Sequence, residues 1–161
     1  ITGGEPMLQQ KAFVSLIRAF YKKHNFVPVI EWETNGTIKP SKDVQNLTDQ
    51  FNVSPKFSRA FGKKPSKTDA IRIIPKVINF YNNDDHAYFK FVIGNEQDLI
   101  ELLELQEKYN IPNDKIYLMP LGMTRKELNK ISKELVDFCV ERNYTFSPRL
   151  HIMLFNNKRK V

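Results

Sequence analysis

The sequence predicts an α/β protein built on a mostly parallel sheet, and two observations carry that prediction. Short apolar runs of strand character alternate with segments of helical periodicity along all 161 residues. Most of the strand-like runs are separated by a helix-length segment, which is the connection that parallel neighbours require. The predicted order is strand, helix, strand, short strand, helix, strand, helix, strand, helix, strand. That order suits an open sheet or part of a barrel. The length suits one domain, residues 1–161, and no repeat or long linker divides it.

The first residues read as the end of a strand, and the chain opens with Ile1 rather than methionine. The expectation is therefore a processed chain or a piece of a longer one. Phe13, Leu16, Ile17 and Phe20 recur at helical spacing, predicting an amphipathic helix over Leu8–Lys23. Phe26–Glu33 reads as a strand ending in the turn residues Thr34, Asn35, Gly36 and Thr37. Asp49–Ser54 is a short strand stopped by Pro55. Phe57–Thr68 is basic and reads as a loop, and Lys67–Tyr81 is weakly helical with Pro75 limiting it to one end. Tyr88–Ile93 is a strand. Asn95 and Asp98 open a helix that buries Leu99, Leu102 and Leu103 and stops before Pro112. Lys115–Met119 is a strand ended by Pro120 and Gly122. Thr124 and Glu127 form a capping-box pattern ahead of Leu128, Ile131, Leu135, Phe138 and Cys139 on one helical face. Arg149–Phe155 reads as a last strand before a basic tail that ends at Val161.

Composition narrows the function. The chain is 41% hydrophobic and 27% charged, which excludes a disordered polymer. No apolar run approaches the roughly 18 residues of a membrane helix, and the first residues lack the pattern of a signal peptide. The single cysteine, Cys139, excludes a disulfide framework and a Cys-rich metal site within these residues, and fits a cytoplasmic setting. On an apolar helix face it reads as an inert core thiol. The formal charge of +7 raises nucleic acid as a partner. The basic residues are scattered, however, and no zinc ligands, helix-turn-helix or aromatic RNA-binding motif accompanies them. Solvated surface charge is the preferred reading.

In open sheets and barrels alike, ligands sit at the carboxyl ends of the strands. Those ends are Thr2–Glu5, Glu33–Asn35, Ser54–Lys56, Met119–Leu121 and the region after His151. Gly3 and Gly4 let a ligand approach the backbone, and Glu5 suits a cationic group such as an α-ammonium. The plainer alternative is a strand-to-helix turn with Glu5 at a helix N-terminus. No Gly-Lys-Ser/Thr follows, so this is not a P-loop. Glu33 suits the donors of a nitrogen-rich heterocycle, or equally a turn. Ser54, Pro55 and Lys56 place a hydroxyl and an ammonium at a rigid strand end, suiting a carboxylate or a ribose, with simple solvation of Lys56 as the alternative. Met119 and Pro120 suit an aromatic ring, or the core. His151, within the predicted last strand, reads as structural rather than catalytic.

Six blocks then recur in a recognisable order: Ile1–Gln10 with its Gly3-Gly4-Glu5-Pro6, Glu33–Thr37, Phe51–Lys56, Ala87–Ile93, Ile116–Pro120 and Phe146–Ile152. The first resembles the Gly-Gly-Glu-Pro motif of radical S-adenosyl-L-methionine (SAM) enzymes. Together they resemble the 7-carboxy-7-deazaguanine synthase family, end to end over this chain.

That resemblance implies the later strands of a partial (β/α) radical SAM barrel. It implies a lyase of queuosine and deazapurine biosynthesis, which converts 6-carboxy-5,6,7,8-tetrahydropterin to 7-carboxy-7-deazaguanine with loss of ammonia. A 4Fe-4S cluster cleaves SAM reductively, a reductant such as flavodoxin supplies the electron, and Mg²⁺ assists. By position, Gly3, Gly4, Glu5, Ser54, Pro55, Lys56, Leu118, Met119, Pro120 and Leu121 would line SAM. Thr2, Glu33, His151 and the carboxylate of Val161 would contact the pterin. The family is commonly homodimeric. Its Cys-x-x-x-Cys-x-x-Cys motif, whose three thiolates hold the cluster, has no counterpart in these residues. The expectation is therefore a carboxyl-terminal portion, inactive by itself. A non-catalytic SAM- or pterin-binding remnant and a basic nucleic-acid-binding module are the alternatives.

Overall fold

Five parallel strands form one open sheet, and they stand in it in chain order. The computed structural model describes residues 1–26, 28–61 and 72–158. The strands are β1 (Glu31–Thr34), β2 (Gln50–Val53), β3 (Ala87–Ile93), β4 (Ile116–Pro120) and β5 (Thr145–Phe146). The helices are α1 (Gln10–His24), α2 (Lys42–Asn46), α3 (Pro75–Asn82), α4 (Glu96–Tyr109), α5 (Arg125–Arg142) and α6 (Leu150–Phe155). A doubly wound sheet reverses its strand order at a switch point. The unbroken order here is that of a singly wound sheet, consistent with part of a barrel and with a ligand face at the carboxyl ends of the strands. Among the described residues no helix is long and apolar enough to cross a membrane.

The chain divides into two compact units, Ile1–Pro55 with Ser66–Tyr88 and Lys56–Pro65 with Phe89–Val161. In the first, a 3-10 turn at Pro6–Gln9 leads into α1, as the apolar spacing predicts. The helix ends where Asn25 turns left-handed at φ 49° and donates to the Tyr21 carbonyl. Phe13 of α1 meets Trp32 edge-on at 5.5 Å, and Tyr81 of α3 meets Phe51 at 5.4 Å. Both helices thus pack on the Trp32 and Phe51 face of the sheet. Pro75 sits in the first turn of α3, where its missing N–H is harmless.

Strand β1 is shorter than the predicted Phe26–Glu33. Pro28 has no N–H, and Ile30 donates to the Asp49 carboxylate at 2.7 Å instead of to a ladder partner. Helix α2 has no counterpart in the sequence reading. With five residues it is too short to show a period, and Ser41, whose hydroxyl accepts from Val44 N–H, is its N-cap. The predicted Phe57–Thr68 loop contains a 3-10 turn at Ser58–Phe61. The remainder of that loop, and the start of the predicted Lys67–Tyr81 helix, lie outside the described residues.

In the second unit Asn95 and Asp98 cap α4 reciprocally: Asn95 Oδ1 accepts from Asp98 N–H, and Asp98 Oδ2 accepts from Asn95 N–H. The box predicted for α5 is half formed. Thr124 Oγ1 accepts from Glu127 N–H, but Glu127 Oε2 accepts from Met123, one residue before the cap. Leu128, Leu135 and Cys139 fill the core as expected.

The predicted strand at Arg149–Phe155 is corrected to helix α6, with the strand falling earlier, at Thr145–Phe146. After Phe146 the ladder with β4 runs out. Ser147 N–H makes one more bond, to the Leu118 carbonyl, and Pro148 has no N–H to give. Ile152 and Met153 then donate back to Arg149, and Asn156 to Ile152. A short apolar run does not distinguish the two structures by pattern alone.

Candidate functional site

The carboxyl end of β1 meets the Gly3–Glu5 turn. Glu33 N–H donates to the Ile1 carbonyl at 2.9 Å, and the Ile1 ammonium donates to Glu31 O. Ile1 therefore runs along β1 as the strand end predicted for it, and delivers Thr2 to Glu5 beside Thr34–Gly36. Gly3 and Gly4 take φ 100° and 59°, in the left-handed region where a side chain is strained. A Cβ built on either would meet nothing within 4 Å, so the backbone there is open to a ligand.

Glu5 is firmly held. Its carboxylate accepts from Met7 N–H at 3.0 Å, Thr34 Oγ1 at 2.8 Å and Asn35 N–H at 2.8 Å. The plainer role, N-cap of the following turn, is thus realised, and the same carboxylate ties that turn to the end of β1. A carboxylate offers about four lone-pair sites, so one direction stays open to a cation. Thr34 is almost fully buried, and its Oγ1 also accepts from Gly36 N–H. Asn35 Oδ1 accepts from Thr37 N–H and Oγ1, closing the turn. Gly36 is obligatory at φ 74°, since a Cβ would lie 2.8 Å from Val53 Cγ1. Below this cluster Tyr81 donates to the Ile38 carbonyl, and burial pushes its phenol well above the usual range.

Glu33 is half-buried on the face of β1 opposite to Trp32 and Thr34. Ser54 donates its N–H to the Thr34 carbonyl at 2.7 Å and is buried, with Pro55 buried after it. These residues, with Thr2 to Glu5, are the predicted set that the first unit brings together.

In the second unit Lys56 is exposed. Along β4, Leu118 is fully buried on the helix-packed face, whereas Met119 is half-buried on the other. Pro120 is buried, and Leu121 donates its N–H to Ile93 O at 2.7 Å. Leu121 also lines a groove of about 650 Å³ between α4 and α5, with Ile93, Leu99 and Ile131. His151 is exposed on α6 instead of sitting in a strand. Val161 lies outside the described residues. Arg149, which the sequence reading passed over, donates to the Gly122 carbonyl at 2.6 Å and so anchors the loop after β4 to the start of α6.

Among the described residues no group of three or more His, Cys, Asp or Glu side chains is placed to hold a metal. Cys139 is buried in α5, and burial pushes its thiol up to about 11, the reverse of a metal-ready thiolate. The described residues therefore do not fit an iron–sulfur cluster or a carboxylate-bound Mg²⁺. The glycine turn and the Glu5 carboxylate do fit the amino-acid end of SAM, by their open backbone and their charge.

Comparison with known proteins finds relatives that match almost the whole of this chain. The chain is 30% identical over 159 residues to a 7-carboxy-7-deazaguanine synthase of Pyrobaculum aerophilum, covering 99% of this chain and 65% of the relative. It is 31% identical over 158 residues to the synthase of Hyperthermus butylicus, covering 96% of this chain and 63% of the relative. The synthase of Halobacterium salinarum is 30% identical over 174 residues. No family model matches. The chain is thus distantly homologous to these synthases along its whole length, and spans just under two thirds of theirs.

Proposed function

We propose, from that whole-chain homology, that these residues are the carboxyl-terminal part of a radical SAM 7-carboxy-7-deazaguanine synthase acting on 6-carboxy-5,6,7,8-tetrahydropterin. The observation that carries the reading is the Gly3-Gly4-Glu5 turn. It stands open to a ligand at the end of β1, inside a chain that aligns from end to end with such synthases. When bound, SAM supplies the hydrogen-abstracting chemistry, and a cluster held by residues outside this chain must drive it. The residues here bind and orient. Gly3 and Gly4 bring backbone carbonyls to the ammonium of SAM, and Glu5 adds its charge while fixing the turn to β1. Ser54, Pro55 and Lys56 serve the carboxylate and ribose, and Met119 to Leu121 the adenine. Thr2 and Glu33 take the pterin, whose ring N–H groups are donors for the Glu33 carboxylate. His151 and Val161 complete that contact in this proposal.

The experiment is a pair of reactions with SAM, dithionite and 6-carboxy-5,6,7,8-tetrahydropterin. This chain alone yields no 7-carboxy-7-deazaguanine. Joined to the first third of the Pyrobaculum aerophilum relative, it yields product. Product from the chain alone would overturn the assignment of the cluster to other residues. A soluble, cluster-loaded hybrid without product would overturn the synthase reading and favour a binding remnant.

A further inference from the structure

Strands of an all-parallel sheet are near-continuous apolar runs when both faces are covered. The first unit departs from this. Trp32, Thr34, Phe51 and Val53 are at most 3% exposed on the helix-packed face, but Glu31, Glu33, Gln50 and Asn52 occupy the other. Asparagine is disfavoured in strands, and the packing of the opposite face does not call for it.

The register sets Glu33 directly beside Asn52, and Glu31 beside Gln50. Neighbouring strands lie about 5 Å apart, so Glu33 and Asn52 reach the same ligand edge. Gln50 Nε2 donates to Asn52 Oδ1 at 2.8 Å. That bond engages the amide oxygen of Asn52 and leaves its amide nitrogen, a double donor, directed away from Gln50. The pair therefore offers an acceptor, the Glu33 carboxylate, beside a donor, the Asn52 amide. A pyrimidinone edge has the complementary pattern: ring and amino N–H donors beside a carbonyl acceptor.

We propose that Asn52, oriented by Gln50, is a specificity-determining residue that donates to the 4-carbonyl oxygen of the pterin while Glu33 accepts from the adjoining N–H groups. The inference rests on the pterin reading of this site. It explains the polar pair on β2, and it predicts discrimination between ring carbonyl and ring amine.

The test titrates the chain with pterin-6-carboxylate and with 2,4-diaminopteridine-6-carboxylate, both followed by their own fluorescence. Wild type prefers the 4-oxo compound by about tenfold or more, because the 4-amino compound loses the Asn52 bond and also lacks the ring N–H that Glu33 accepts from. Asn52→Asp turns the donor into an acceptor and lowers that preference by about tenfold. Gln50→Lys still donates to Asn52 Oδ1 and keeps the wild-type ratio, whereas Gln50→Glu lets the amide turn round and lowers it. A purely structural Asn52 would lose both ligands equally. An unchanged ratio in Asn52→Asp, with far-UV dichroism as in wild type, would overturn the assignment of Asn52 alone. Failure of the wild type to bind either compound would overturn it together with the pterin reading.

Discussion

Replacing Glu5 by alanine tests whether its carboxylate is an architectural tie as well as a ligand for a cation. Three donors lose their acceptor: Met7 N–H, Thr34 Oγ1 and Asn35 N–H. A hydrogen bond to a charged group contributes about 1.5–3 kcal/mol when buried, and nearer 1 kcal/mol at a half-exposed carboxylate like this one. The sum is about 3 kcal/mol, weighted toward Thr34, whose hydroxyl is 3% exposed and has little water to turn to. With a urea slope of about 2 kcal/mol per molar, the unfolding midpoint falls by about 1.5 M. The assay is convenient because Trp32, the only tryptophan, is fully buried in β1 next to this cluster, so its fluorescence reports on the first unit. Glu5→Gln keeps one acceptor oxygen but turns an N–H toward Asn35, and falls between wild type and alanine. A midpoint for Glu5→Ala within about 0.2 M of wild type would refute the tie.

Gly36→Ala is expected to destabilise the first unit by about 2 kcal/mol, through strain at φ 74° and the clash with Val53, again read from Trp32. Gly3→Ala meets no neighbour and costs only about 1 kcal/mol of backbone strain, yet should abolish calorimetric SAM binding in the hybrid synthase. Asn143→Gly should stabilise α5 by a few tenths of a kcal/mol, because Asn143 is held at φ 55° at the helix end; a loss in thermal midpoint would contradict this. Cys139 sets a pH dependence. Its folded thiol titrates near 11 and the free thiol near 9, so the unfolded chain releases its proton first. Stability from this group is intact below about pH 9 and is lost as the pH rises toward 11. Cys139→Ala should reduce that slope in urea titrations across this range, the remainder coming from the buried phenols of Tyr81 and Tyr144.

What the sequence could reveal was whatever rests on local pattern. The helix at Asn95–Tyr109 was legible because Asn95 and Asp98 announce its start and Pro112 its limit. The Gly3–Glu5 turn was legible because two glycines precede a carboxylate and a proline. What depends on partners was hidden. Thr34 and Asn35 become part of the turn only because Glu5, some 30 residues away, reaches them. Asn52 gains meaning only from the register that sets it beside Glu33. Leu150–Phe155 carries an apolar run that suits a strand, and only the end of the β4 ladder at Ser147 makes it a helix. His151 moved with it, from a strand to an exposed helical position.

The strand order also bears on how the chain acquires its structure. Glu31 pairs with Gln50, Phe89 with Ile116 and Tyr117 with Thr145, so these partners lie only about 20 to 30 residues apart along the chain. Parallel sheets are slow to form when their neighbours are remote in sequence. Here each strand adds to the one just made, and the sheet can extend during synthesis without waiting for its far end. Growth of this kind always exposes the newest edge to pairing with other chains. Among the described residues the last strand is β5, and its two residues, followed by Pro148, offer a neighbouring molecule only a short edge.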